Sequence, residues 1–202
     1  MATAGGTLVL AVATFSSVKS ANRSARVAER ALLAGQRPVL IPSREDDPVE
    51  TIRFGDGVIV QVHGHGSVLR LRDDRIYIAL ALRNGGAGLA VIHGWRLDDQ
   101  ASSATAERPD PSSFRRQLRD LFIPAGETGF WQGAIRDRTD PDYTKVRRLI
   151  DRGERLMIDL MYGDHEGGQR AIARFTASPL SDDPENRAEV LRYWNIDTED
   201  PR

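Results

Sequence analysis

The stretch IYIALALRNGGAGLAVIHGW, residues 76–95, constrains the fold of this chain more than any other. Ile76–Asn84 is a strongly apolar run, and Gly88–Leu97 is a second one rich in β-branched residues. Both read as strands. Gly85, Gly86 and Gly88 crowd the junction between them. A phosphate cradle needs G-x-G-x-x-G opening a helix, or G-x-x-x-x-G-K-[ST], so that the N–H groups of a helix N-terminus meet the anion. Neither spacing is present, no Lys or Ser/Thr follows in position, and LAVIHGW continues as a strand. The glycines therefore read as the connection between two central core strands, where glycine supplies positive φ without steric cost.

The remaining pattern is of the same kind. QRPVLIPS (36–43) has Pro near both ends and reads as an edge strand. TIRF, GVIVQVHG and SVLRLR are short β-rich runs separated by turns, and IPAGETGFWQGAIR (123–136) is a turn followed by a strand. ERLMIDLMYGD and GGQRAIARFTAS form a hairpin across residues 164–168. Turn signals recur about every ten residues without βαβ alternation, which predicts a mainly β fold. The expected architecture is an antiparallel β-sandwich of seven to eight strands over 36–180. FRRQLRDLF places Phe114, Leu118 and Leu121 at i, i+4 and i+7, consistent with a short helix, although nine residues leave a strand open. TDPDYTKVRRLIDRG predicts a helix over 141–152, with Thr139 or Asp140 as N-cap and Gly153 at its end. Residues 181–202 are expected to form a C-terminal helix and acidic tail, with Ser181 as cap and Val190, Leu191 and Trp194 facing inward. Residues 98–113 lack apolar periodicity and read as an exposed loop.

The N-terminus carries no charged side chain before Lys19. A spanning helix needs about 20 apolar residues, so 1–18 is at the short limit for a transmembrane helix. Thr and Ser within it weaken the span, but their hydroxyls can bond to the preceding helical turn. Positive charge follows the apolar run, whereas a cleaved signal peptide carries it in front. The pattern thus predicts a signal-anchor, continued by a juxtamembrane helix over 19–35 that ends at Gly35, before Pro38. Lys19, Arg23, Arg26 and Arg30 then place the rest of the chain on the cytoplasmic side of the cell membrane, close to anionic headgroups. The alternatives are a helix packed on a soluble domain and an exported domain.

Composition narrows the chemistry. The chain of 202 residues has no Cys, which excludes disulfides, thiolate zinc sites and Cys nucleophiles. A formal net charge of −1 gives no global attraction to nucleic acid, and Arg115, Arg116 and Arg119 lack interleaved aromatics. On a short helix those arginines would instead lie opposite an apolar edge, as on a membrane surface. His63 and His65, two apart, would share one strand face and present two imidazoles to a metal, with His93, His165, Asp56 or Asp164 as third ligand. The competing reading is a pair of histidines at a hairpin turn. Asp159, Asp164, His165 and Glu166 have the groups for acid–base chemistry, yet YGDHEGGQ also suits a hairpin loop. No G-x-S-x-G nucleophile elbow is present. Phe130 and Trp131 are adjacent, so on a strand one enters the core and the other is free to meet a partner. With Trp194 they are the interface candidates. No catalytic residue and no cofactor is expected. The expected function is an interaction or scaffolding module; a metal-dependent or hydrolytic enzyme using His63 and His65 is the alternative.

Asn84, Gly86, Ala90, Pro124 and Gly126 carry a resemblance. An apolar strand ending in Asn-x-Gly, a small residue opening the next strand and a Pro-x-Gly turn before a later one is similar to bacterial immunoglobulin-like domains of the adhesion-related CARDB type. It covers Ile76 to Thr176 and implies an Ig-like sandwich with Trp95 in its core and the 141–152 helix crossing between sheets. The layout, from Arg37–Leu40 through Arg83–Ala90 to Trp194–Asn195 and Asp200–Arg202, also resembles bacterial membrane-anchored proteins to which no activity is attached.

Overall fold

The computed structural model describes residues 2–98, 107–179 and 187–199, with side chains from Thr14 onward. The chain divides into two compact units, Met1–Gln36 and Arg37–Arg202. The first is one helix, α1 (Ala2–Gly35), which runs unbroken through the expected division at residue 18. At 1.5 Å per residue it is about 51 Å long. It closes where the Gln36 N–H donates to Leu32 O and Leu33 O, both at 3.1 Å. Most of the apolar run 1–18 lies outside the residues whose side chains are described. Among the described residues no helix is long and apolar enough to cross a membrane.

The second unit is mainly β, with eleven strands among the described residues. Its axis is β5 (Arg75–Asn84), with β8 (Thr128–Ile135) along one side. Along the other side β1 (Leu40–Pro42) and β4 (Ser67–Arg72) lie end to end, β1 pairing with Leu82–Asn84 and β4 with Arg75–Leu80. A second sheet runs in the order β11 (Val190–Asn195), β10 (Ala171–Ala177), β9 (Leu156–Gly163), β6 (Ala90–Asp98), β7 (Arg115–Ile123). The hairpin of β2 (Glu50–Arg53) and β3 (Ile59–Val62) forms a third layer. All these pairings are antiparallel.

The apolar run of β5 follows from this layering. Ile76, Ile78, Leu80 and Leu82 share a core with Ile92, Ile158, Leu160 and Phe175 of the second sheet. Tyr77, Ala79 and Ala81 face the other way, against Ile52, Phe54, Val60 and Val62 of the hairpin. A strand covered on both faces has no reason to alternate. The result is sandwich-like, with the hairpin covering the outside of one sheet. Helix α2 (Tyr143–Arg152) carries the chain between sheets and buries Tyr143, Val146 and Leu149. Gly153 ends it at φ 67°, as expected, whereas the N-cap is Asp142, with no side-chain capping bond.

The glycine cluster also carries the chain between sheets, from β5 to β6, but for a different reason than expected. Neither Gly85 nor Gly86 has a positive φ. A Cβ on Gly86 would lie 2.1 Å from Arg37 O and 2.7 Å from Val39 N, so Gly86 is there to let two backbones approach. The centre of this contact is Asn84, fully buried. Its Oδ1 accepts from Val39 N (3.1 Å) and Gly86 N (3.0 Å), and its Nδ2 donates to Gly88 O (2.6 Å) and Ile123 O (3.0 Å). Its own backbone pairs with Glu127 O and Gly126 N. The left-handed glycine is Gly126 (φ 77°), in the Pro124–Glu127 turn, the geometry a type II turn requires.

The strand reading left open for FRRQLRDLF is the one the structure takes, and the expected C-terminal helix is a strand. FRRQLRDLF supplies β7, and the C-terminal segment from Val190 forms β11 on β10, so the unit extends beyond residue 180. The expected cap Ser181 lies outside the described residues.

Replacing Asn84 tests the knot. Asn84→Ala would leave two buried N–H groups and two carbonyls unpaired, at about 1–3 kcal/mol each. Urea unfolding is expected to show a loss of at least about 3 kcal/mol, and Asn84→Asp a similar loss because a carboxylate cannot donate to Gly88 O and Ile123 O. A loss below about 1 kcal/mol in both variants contradicts the assignment.

Candidate functional site

β7 does not follow β6 evenly. Ala90, Val91 and Ile92 face Ile123, Phe122 and Leu121, but Gly94 and Trp95 face Arg116 and Arg115. One residue of β6, His93, thus stands against four of β7, Gln117–Asp120. Against β9 the same His93 is an added residue, because Ile92 faces Tyr162 and Gly94 faces Met161. This is a β-bulge, which bends a strand and re-aims its side chains. Gly94 is required beside it, since a Cβ there would lie 2.8 Å from Arg115 O. Leu118 is turned fully outward, 96% exposed, and Phe122 is 54% exposed.

The displaced segment forms one wall of a groove of about 950 Å³. The opposite wall is Gln132–Ala134 of β8 with Arg136, and the turn of the β2–β3 hairpin closes one end with Arg53 and Phe54. The floor is Trp95, packed edge-to-face on Trp131 with centroids 5.6 Å apart. Gly133 makes room for this pair, because a Cβ there would lie 2.8 Å from the Trp131 ring. Trp131 Nε1 donates to Gln117 Oε1 at 3.2 Å, which ties the displaced segment to β8.

The groove is cationic. Its lining includes Arg53, Arg115, Arg116, Arg119 and Arg136, and no acidic residue. Arg115 lies over the Trp95 ring at 5.1 Å and is latched by Asp140 (2.5 and 2.6 Å) and Asp142 (2.6 Å). Hydrogen bonding from Arg115 holds the Asp140 carboxyl below its ordinary 3.8. Arg136 donates to Asp56 at 3.2 Å. Asp56 also accepts from the Tyr77 hydroxyl at 2.8 Å. Burial opposes its charge, but Tyr77 and Arg136 outweigh burial and lower its pKa. Arg53, Arg116 and Arg119 make no ion pair among the described residues. The buried Oε1 of Gln132 has no hydrogen-bond partner. Nothing lining the groove is a nucleophile or a general acid or base near neutrality.

The other candidates are placed elsewhere. His63 and His65 sit in a turn, not on a strand: Gly66 N donates to His63 O at 2.9 Å and His65 has φ 61°. They share no strand face, and no cluster of three possible metal ligands exists among the described residues. Asp159 and Asp164 do not converge. Asp159 is fully buried and paired with Arg174 (2.6 and 2.8 Å), while Asp164 holds the β9–β10 loop by accepting from Glu166 N, Gly168 N and Gln169 Nε2. His165 and Glu166 are exposed in that loop. Burial, and then Arg170, lower the pKa of His93 in the bulge. Trp131 is buried and Phe130 half-buried, the alternation expected, but Trp131 and Trp194 present no surface to a partner. Trp194 lies between the guanidinium groups of Arg174 (5.2 Å) and Arg192 (5.5 Å). Lys19, Arg23, Arg26 and Arg30 lie on α1. Arg115, Arg116 and Arg119 lie on β7 and not on the short membrane-surface helix their spacing suggested. Arg53, Arg136 and Gln132 have no local signal, because only the folded hairpin and β8 bring them to the groove.

No protein-family model matches the chain, and no curated protein matches it.

The Arg115–Asp140 latch carries a pH dependence. A carboxyl depressed in the folded state stabilises above its unfolded value, about 3.9, and that contribution is lost as pH falls through the folded value. The thermal midpoint of Asp140→Asn is expected to lie below that of the unmodified chain above about pH 5, with the gap closing towards about pH 3. A gap that stays constant across this range contradicts the latch.

Proposed function

We propose that this chain is an interaction module: an Ig-like β-sandwich, held at a membrane by α1, that uses the arginine-lined groove to bind a partner. The groove carries the reading. It combines cationic side chains, an exposed Leu118 and open strand edges with no group suited to bond chemistry, which favours binding over catalysis.

The strand order supports the Ig-like part. β4, β5 and β8 correspond to strands A, B and E of such sandwiches, and β7, β6, β9 and β10 to C′, C, F and G. The tether rests on the uncharged run before Lys19 and on the continuity of α1. Lys19, Arg23, Arg26 and Arg30 fall at i, i+4, i+7 and i+11, along one face of that helix, where they suit anionic headgroups on the cytoplasmic side.

A photo-crosslinking benzophenone side chain at Leu118, compared with one at exposed Arg70 of β4, tests the module in cells. A discrete protein adduct specific to position 118 is expected; equal or absent adducts at both positions refute the reading. Fractionation tests the tether separately. The full chain is expected in the carbonate-resistant membrane fraction and a chain starting at Gln36 in the soluble one, and recovery of both as soluble rules the tether out.

A further inference from the structure

We propose that the ligand of the groove is an extended acidic polypeptide segment, its carboxylates on Arg53, Arg116 and Arg119 and its backbone along β7 and β8. This inference rests on reading the groove as an interaction site.

Charge is the first argument. Five guanidinium groups line one groove without an acid, and three of them have no carboxylate partner among the described residues. Guanidinium groups match carboxylates in a planar, two-bonded geometry and lose affinity steeply when the acceptor loses its charge. Arg115 and Arg136, held by Asp140 and Asp56, border the site without being free to move.

Shape and hydrogen bonding point to a peptide rather than a simple anion. Among the described residues β7 pairs only with β6 and β8 only with β5, so each leaves an unpaired edge beside the groove. Such edges are templates for another extended chain. Leu118 at the rim gives a contact for an alternate side chain of an extended ligand.

Nucleic acid fits less well. Single strands bind by stacking bases on exposed aromatic rings. The aromatics here are Trp95, 8% exposed and covered by Arg115, and Phe54, 3% exposed.

The test is fluorescence anisotropy with the full chain and a labelled eight-residue peptide alternating Glu and Thr. A Gln–Thr peptide, a single-stranded oligonucleotide and phosphatidylglycerol vesicles serve as competitors. The acidic peptide is expected to bind at least about tenfold more tightly than its Gln counterpart, and more weakly as salt rises from about 50 to about 300 mM. Arg116→Ala/Arg119→Ala is expected to weaken binding at least about tenfold, with an unchanged thermal midpoint, and Arg70→Ala to leave it unaltered. Equal binding of the Gln peptide, an unaffected double variant, or no binding of the acidic peptide at about 1 mM overturns the proposal. So does tighter binding of the oligonucleotide or vesicles that the double variant abolishes. Adducts at Leu118 without binding of the acidic peptide would remove this inference and leave the interaction module standing; the absence of both would remove both.

Discussion

Asn84 is the residue on which the arrangement of this fold turns. One buried amide satisfies two N–H groups and two carbonyls from three separate segments: the strand start at Val39, the glycine turn at 86–88 and the end of β7 at Ile123. Each of these is a place where the chain would otherwise bury backbone groups without partners, at a cost comparable to a lost hydrogen bond. Holding them on one side chain fixes where the chain leaves the first sheet and where β6 begins in the second. Gly86 belongs to the same device, since only a residue without Cβ lets the turn approach Arg37–Val39. The five residues that carry the Ig-like resemblance include Asn84, Gly86, Pro124 and Gly126, which meet at or beside this knot.

With β6 placed, its bulge at His93 decides the surface. A regular ladder would have laid Gln117–Asp120 against β6 and closed the side of the sandwich. The displaced segment instead reaches β8 through Gln117, which accepts from Trp131 Nε1. Gly94 and Gly133 are the steric permissions for this, one for a backbone oxygen and one for an indole. The groove is therefore a consequence of a local mismatch in register. Its Trp95–Trp131 floor ties it to the core.

This history explains what could be read from the sequence. Ile76–Asn84 is legible because burial on both faces makes the apolar signal dense and local, and β6 because its β-branched residues and alternating burial suit a strand covered on one face. The 141–152 helix is legible through its spacing and Gly153. FRRQLRDLF misleads because the bulge breaks its alternation: Leu118 points to solvent while Leu121 and Ile123 are buried, which imitates a helical period. The segment after Ser181 has the composition of a helix start, but Val190–Asn195 gains more by pairing with β10, so tertiary context overrides propensity. HGH looks like a strand pair in isolation. A Cβ on Gly64 would lie 2.1 Å from Arg44 O, and this packing of the turn against the 44–47 loop is a contact no local pattern encodes.

Charge shows the same division between whole chain and site. A formal net charge of −1 gives no overall field. Inside the fold most arginines are spent on carboxylates: Arg174 on buried Asp159, Arg170 on Asp197, Arg155 on Glu189 and Arg115 on Asp140. Of these pairs only Arg174–Asp159 is buried between strands, where each charge offsets the other's desolvation. Among the arginines without a carboxylate partner, Arg53, Arg116 and Arg119 are those the bulge and the hairpin turn bring to one concave surface. In a recess with low-dielectric walls their fields add, and they are screened less than isolated surface charges. A nearly neutral chain thus presents a local positive site in this groove, and the register shift at His93 is what assembles it.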